Sequence, residues 1–217
     1  MTMLSQYQQL IAQQVISEDT AQYQAVRALD ALAKKLLHSQ HQKLSQNPIK
    51  KLFSKAAAIQ GLYFYGRVGR GKTMLMDLFY QQLELPRKRR IHFHHFMESV
   101  HQHLHQLSGQ DNPLVLIAKH WAAEVDLLCF DEFFVNDIGD AMLLTGLLNA
   151  MFAQGITLVS TSNCAPEQLY KNGLQRERFL PTIAIIRQHC QVIAIDGQQD
   201  HRLLANNTNC DSQGYRD

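Results

Sequence analysis

A chain of 217 residues with a formal net charge of +2 is long enough for one α/β domain whose core covers both faces of a sheet, and short for two. That near balance of charge excludes the overall basic excess of a general nucleic-acid binder, so such a role would need a local patch. No segment approaches the ~20 apolar residues of a membrane span, and Met1 to Ile16 has no signal-peptide core; Cys129, Cys164, Cys190 and Cys210 stand apart without a CxxC pair, the usage of a reduced, cytoplasmic protein.

Taken in chain order, Val26, Leu29, Leu32, Ala33, Leu36 and Leu37 recur at helical spacing and predict an amphipathic helix over 19–38, with Asp19 and Gln22 placed as a capping box. Ser39 to Ile59 is polar and carries Pro48 with Lys50, Lys51 and Lys55, which predicts a connector and a domain boundary near residue 59. Beyond Gly61, β-type runs at Leu62 to Tyr65, Arg90 to Phe96, Asp126 to Asp131, Thr157 to Thr161 and Gln191 to Ile195 alternate with helical spacers. The spacers are Lys72 to Leu83, Met97 to Leu107, Pro113 to Ala123, Asp137 to Gln154 and Pro181 to His189. This alternation implies an α/β fold: a five-stranded parallel sheet flanked by crossover helices, preceded by an N-terminal helical segment. The expected division is 1–59, 60–203 for the core, and 204–217 as a polar, aperiodic tail.

Gly66-Arg67-Val68-Gly69-Arg70-Gly71-Lys72-Thr73 fits G-x-x-x-x-G-K-[ST] between a strand and a helix, the setting a P-loop requires. Its glycines let backbone N–H groups surround phosphates at a helix N-terminus, Lys72 reaches the terminal phosphates, and the Thr73 hydroxyl suits Mg²⁺. ATP with Mg²⁺ is the expected ligand. The apolar run Leu127 to Phe130 ends in Asp131-Glu132. A carboxylate at that strand end faces the crevice, so Asp131 is the candidate to hold Mg²⁺ through its water shell and Glu132 the candidate base for the attacking water. Asp137 and Asp140 follow closely and read as helix caps in preference to metal ligands. Asn163 closes the next strand, where it is either a sensor of the γ-phosphate or a turn former.

With these pieces in order, the chain resembles the ZapE/AFG-type AAA+ ATPases. The matching words are Gly61-Leu62-Tyr63, Val68 to Thr73, Met76 to Tyr80, His92-Phe93-His94, Phe96-Met97, Leu128 to Phe133, Thr161-Ser162-Asn163 and Leu169 to Arg176. The resemblance implies an AAA+ P-loop core and a homo-oligomeric ATPase in which Asn163 senses the γ-phosphate. It also implies that Arg176 enters a neighbouring subunit's site as the arginine finger, with Arg178 the alternative. It suggests a protein client, the division-ring tubulin-like protein or a membrane-associated one. Position 67 is Arg where the family usually has Gly, and similar proteins continue past the last strand, so a missing C-terminal lid and slow turnover are expected.

Other features compete. Seven of the eleven histidines lie between His92 and His120, and His101 and His105 are spaced as helical metal ligands, but residue 102 is Gln and a polar helix face is the plainer account. Arg87-Lys88-Arg89-Arg90 reads as a loop cluster that could touch nucleic acid or anionic lipid, although such runs are usually solvated. It leaves open a helicase-loader-like ATPase on DNA and a peripheral membrane association, with nucleic acid the less expected partner. A nucleotide-binding module without turnover is the third reading.

Overall fold

The computed structural model describes residues 3–14, 19–45 and 58–195. Its centre is a five-stranded, all-parallel sheet in the order β2-β3-β4-β1-β5, formed by β1 (Gly61–Tyr65), β2 (Lys88–His92), β3 (Leu127–Asp131), β4 (Thr157–Ser162) and β5 (Cys190–Ala194). The helices are α1 (Met3–Ala12), α2 (Thr20–Ser45), α3 (Lys72–Gln82), α4 (Phe93–Gln106), α5 (Pro113–Glu124), α6 (Ile138–Ala153) and α7 (Leu180–His189). Parallel strands need crossovers, and helices on both faces bury the apolar runs that such strands carry.

Period-two alternation sorts each strand between two cores. Tyr63, Leu128, Phe130 and Leu158 point to the face covered by α4, α5, α6 and α7. Leu62, Phe64, Leu127, Cys129 and Val159 point to the other, which α1, α2 and α3 close with Tyr7, Val26, Leu29, Leu75 and Phe79. The N-terminal helices therefore form, with α3, one wall over this face of the sheet. Asp19 caps α2 through Oδ1, which accepts from the Ala21 and Gln22 amides at 2.7 and 3.1 Å. The reciprocal half of the expected capping box is absent, because the Gln22 side chain is engaged elsewhere.

Three boundaries depart from expectation. Helix α2 runs to Ser45, so residues 39–45 belong to it; residues 46–57 of the expected connector, the end of the expected core at 196–203 and the expected tail at 204–217 lie outside the described residues. Strand β2 starts at Lys88 and stops at His92, where a strand from Arg90 to Phe96 is expected. Phe93, Phe96, Met97 and Val100 are buried on one face of α4, a spacing of three, four and seven that only a helix satisfies. The basic run is thus mostly strand and not loop.

Candidate nucleotide site

All five strands end within one residue of level at the same end of the sheet. Tyr65 is opposite Ser162, His92 is opposite Asp131, and Tyr65 is opposite Ala194. Order reverses between β1 and β4, and a crevice beyond the C-terminal ends of such strands is where open α/β sheets hold ligands.

The loop from Gly66 to Thr73 leaves β1 and enters α3 there. Gly69 and Gly71 have φ of 81° and 79°, a left-handed backbone that a side chain would strain, and residues 67–70 are exposed. Gly71 occupies the N-cap position of α3 and no side chain caps that first turn, so its amides and the positive end of the helix serve the loop. Lys72 is buried, and its Nζ donates to the carbonyls of Gly66 at 2.5 Å and Arg67 at 2.8 Å. An ammonium held inside a cradle of amides suits an anionic group of several oxygens. Thr73 is exposed at the start of the helix. Arg67, at the position where a glycine is usual, contributes its carbonyl to the lysine and is exposed at the loop mouth.

The loop is also held from behind. Gln22 Nε2 donates to the Arg70 carbonyl at 3.1 Å, and its Oε1 accepts from the hydroxyl of Tyr7, a side chain with no exposed surface. A Cβ on Gly71 would stand 2.9 Å from that same Nε2, so a side chain there would push the Gln22 amide off the loop, while φ is what calls for glycine.

Asp131 ends β3 at 8% exposure. Both of its oxygens accept from Arg90, Oδ2 from Nε at 2.6 Å and Oδ1 from Nη2 at 3.1 Å, while Arg90 Nη1 donates to Asp77 Oδ1. Glu132 follows, exposed, with φ of 55°. A left-handed non-glycine residue costs about 1–2 kcal/mol, and the turn is held by β4: the Glu132 amide donates to Thr161 Oγ1 at 3.2 Å, the Phe133 amide to the Thr161 carbonyl at 2.7 Å, and Ser162 Oγ to the Phe133 carbonyl at 2.7 Å. Asn163 comes directly after Ser162 and is exposed. The turn that aims Glu132 is thus tied to the strand end that carries Asn163.

Arg176 lies in a short 3-10 turn and donates to the carbonyls of Leu169 and Glu167, each at 2.5 Å. Within one subunit it braces its own loop, whereas Arg178 is exposed. Asp137 caps α6, accepting from the Asp140 amide at 3.1 Å, and Asp140 bonds His101 Nε2 at 2.7 Å. His103 bonds the Ser99 carbonyl. The basic run is divided between faces. Arg87 meets the Ala122 carbonyl and Asp126, Arg89 meets Glu124 and lies over Trp121, and Lys88 meets the carbonyls of Tyr80 and Leu83. Each charge in the run has a partner, so the feature offered for DNA or lipid is an edge strand with its cations engaged.

Over residues 1–211 the sequence matches the model of a family described as AFG1-like ATPase. The chain belongs to the AFG1-like ATPase family. Two relatives illustrate it. The cell division protein ZapE of Escherichia coli is 48% identical over 211 residues, covering 93% of this chain and 56% of that protein. Lactation elevated protein 1 homolog B of Danio rerio is 45% identical over 160 residues, covering 69% of this chain and 32% of that protein. This AFG1-like ATPase chain spans about half the length of ZapE. Among solved structures, a putative primosome component from Streptococcus pyogenes superposes with a TM-score of 0.53 at 18% identity, covering 86% of this chain and 85% of that one. The structure titled DnaI gives 0.51 at 18% identity, with 84% and 86% covered. Identity at that level speaks to fold alone, and the fold is the P-loop AAA+ core.

Four residues of this AFG1-like ATPase stand at the candidate site although the sequence reading does not assign them to it: Gln22, Asp77, Arg90 and Thr161. Asp77 and Thr161 lie inside the matching words, which was a usable signal. Gln22 and Arg90 were visible only as a cap residue and as one cation among four.

Proposed function

We propose that this chain is a Mg²⁺-dependent ATPase that works in a homo-oligomer, with the triphosphate on the Gly66 to Thr73 loop and hydrolysis directed by Glu132. The observation that carries this reading is the convergence of the loop, Asp131, Glu132 and Asn163 on one edge of the sheet. Gly66, Arg67, Val68, Gly69, Arg70 and Gly71 would wrap the phosphates through backbone amides, and Lys72 would exchange its carbonyl partners for phosphate oxygens. Thr73 and Asp131 supply the oxygen donors a hard cation needs. Mg²⁺ bound with the nucleotide neutralises charge on the transferring phosphoryl group. Glu132 accepts the proton of the attacking water. Asn163, on the same tied strand end, orients that water and reads the γ-phosphate.

Arg176 completes the reading by serving a neighbour's site. That role requires it to release the Leu169 and Glu167 carbonyls, so the loop it braces would rearrange on assembly. Membership of a family that includes proteins named for cell division supports a cytoplasmic role with a protein client of the division apparatus, the division-ring tubulin-like protein first. The site itself is tested by mixing. Glu132→Gln subunits keep a usable finger and Arg176→Ala subunits keep a usable site, so each preparation is inactive alone and the mixture recovers phosphate release. No recovery on mixing, with Arg178→Ala behaving as Arg176→Ala was expected to, transfers the finger to Arg178.

A further inference from the structure

Arg90 stands at the meeting point of three elements, and its geometry exceeds what burial of a charge on an edge strand demands. Period-two alternation places Lys88, Arg90 and His92 on the α3 side of β2, the side on which Cys129 and Asp131 lie on β3. Arg90 is opposite Cys129, so its guanidinium reaches forward along the sheet to the strand end. It takes Asp131 by both oxygens, at 2.6 and 3.1 Å, and uses its remaining arm on Asp77 of α3. The Arg90 and Asp131 side chains are 20% and 11% exposed, while Asp77 is 47% exposed.

We propose that Arg90 is a positioning residue for the cation site: it fixes the Asp131 carboxylate and sets its place relative to Thr73. This rests on the reading of Asp131 and Thr73 as the residues that hold Mg²⁺. Asp77 lies four residues after Thr73 on α3, so the two share a helix face one turn apart. Arg90 ties that face to the end of β3. The two oxygen donors come from different elements, and the guanidinium is the strut between those elements.

The chemistry of the fork explains why arginine is used. A guanidinium presents parallel N–H groups that match a carboxylate and cannot be deprotonated, whereas an ammonium is a point charge without that directional match. An ionised carboxylate has about four lone-pair sites. Two of them take the N–H groups of Arg90, and the rest stay available to a hydrated cation. Partners behind a metal-holding group typically change metal affinity ten- to a hundredfold when removed.

The test is calorimetric binding of the ATP analogue AMPPCP to the whole chain, once with Mg²⁺ and once with a chelator. In the unaltered protein Mg²⁺ should raise the affinity, and equal affinities with Mg²⁺ and with the chelator would sink the cation-site reading and the strut with it. Arg90→Met should cut that gain by about tenfold or more and leave the chelator affinity within about twofold. Arg90→Lys should restore only part of the gain, and Asp77→Asn should fall between. A merely structural role would lower the melting temperature with the Mg²⁺ gain intact, or weaken both affinities equally, and either result overturns the proposal. If Arg90→Met does not fold, Arg90→Lys and Asp77→Asn carry the comparison, and a full Mg²⁺ gain in both overturns it. Asp131→Asn separates the two claims. Loss of the gain there with retention in Arg90→Met sinks the strut alone, whereas retention in Asp131→Asn sinks the reading of Asp131 and the strut with it.

Discussion

Cys129 and Cys190 show how position rules the chemistry of a residue here. Both are buried, and burial pushes each thiol up to about 12 from an ordinary 9.0. The folded state favours the neutral thiol, so the stability these groups contribute is fully present below pH 9.0 and is lost as pH rises toward 12 and the unfolded chain ionises first. We expect the denaturant midpoint to fall across that alkaline window, and Cys129→Val to shallow the fall. An equal slope in the variant would contradict the assignment. The same buried thiols should resist alkylation until the protein is unfolded. Residue identity alone does not separate them from a reactive cysteine; Cys129 lies within the expected run Asp126 to Asp131, whereas Cys190 precedes the expected run from Gln191 and enters β5 only in the fold.

Element by element, legibility followed periodicity. The loop from Gly66 to Thr73 and the strand ending in Asp131 were readable because fixed residue types are demanded by phosphate and cation chemistry at fixed spacing. The cap at Asp137 was readable for the same local reason, and its bond to the Asp140 amide is present. Strand β2 lies earlier than expected because three charged residues, Lys88 to Arg90, precede Ile91 in it and the aromatic residues after it look strand-like until their spacing is counted. Placing Lys88 and Arg90 on one face and Arg89 on the other needs the pairing with β3, which no local pattern encodes. Arg90 therefore looked like surface charge. Gln22 was equally opaque: its side chain meets a carbonyl 48 positions away, and a capping box was the nearer explanation. Arg176 is the reverse case, singled out by resemblance and seen to be engaged with its own loop.

For the whole molecule, the parallel five-stranded sheet was legible and the strand order was not, since alternation of strands and helices fits several crossovers. The unexpected global feature is that α1 and α2 form, with α3, one wall over a face of the sheet. Leu29 has no exposed surface and packs in the core shared with Leu62, Leu75 and Phe79. Leu29→Ala should cost about 2–5 kcal/mol, and because that core contains both sheet and helix residues the protein should melt in one transition at a lower temperature. A separate early transition, with the core unchanged, would show that the N-terminal helices are an accessory. The Gln22 contact makes this more than a matter of stability, since the same helices steady the Arg70 carbonyl of the phosphate loop.

The measurement that bears most directly on the account is nucleotide binding and phosphate release by Glu132→Gln beside the unaltered chain in the same assembly state. The substitution removes the proton acceptor and leaves shape and the Thr161 tie at the backbone in place. Turnover should fall by about 10²–10⁴-fold with affinity for the ATP analogue unchanged. Phosphate release at the unaltered rate would contradict the assignment of Glu132 and, with it, the chemistry proposed for this edge of the sheet.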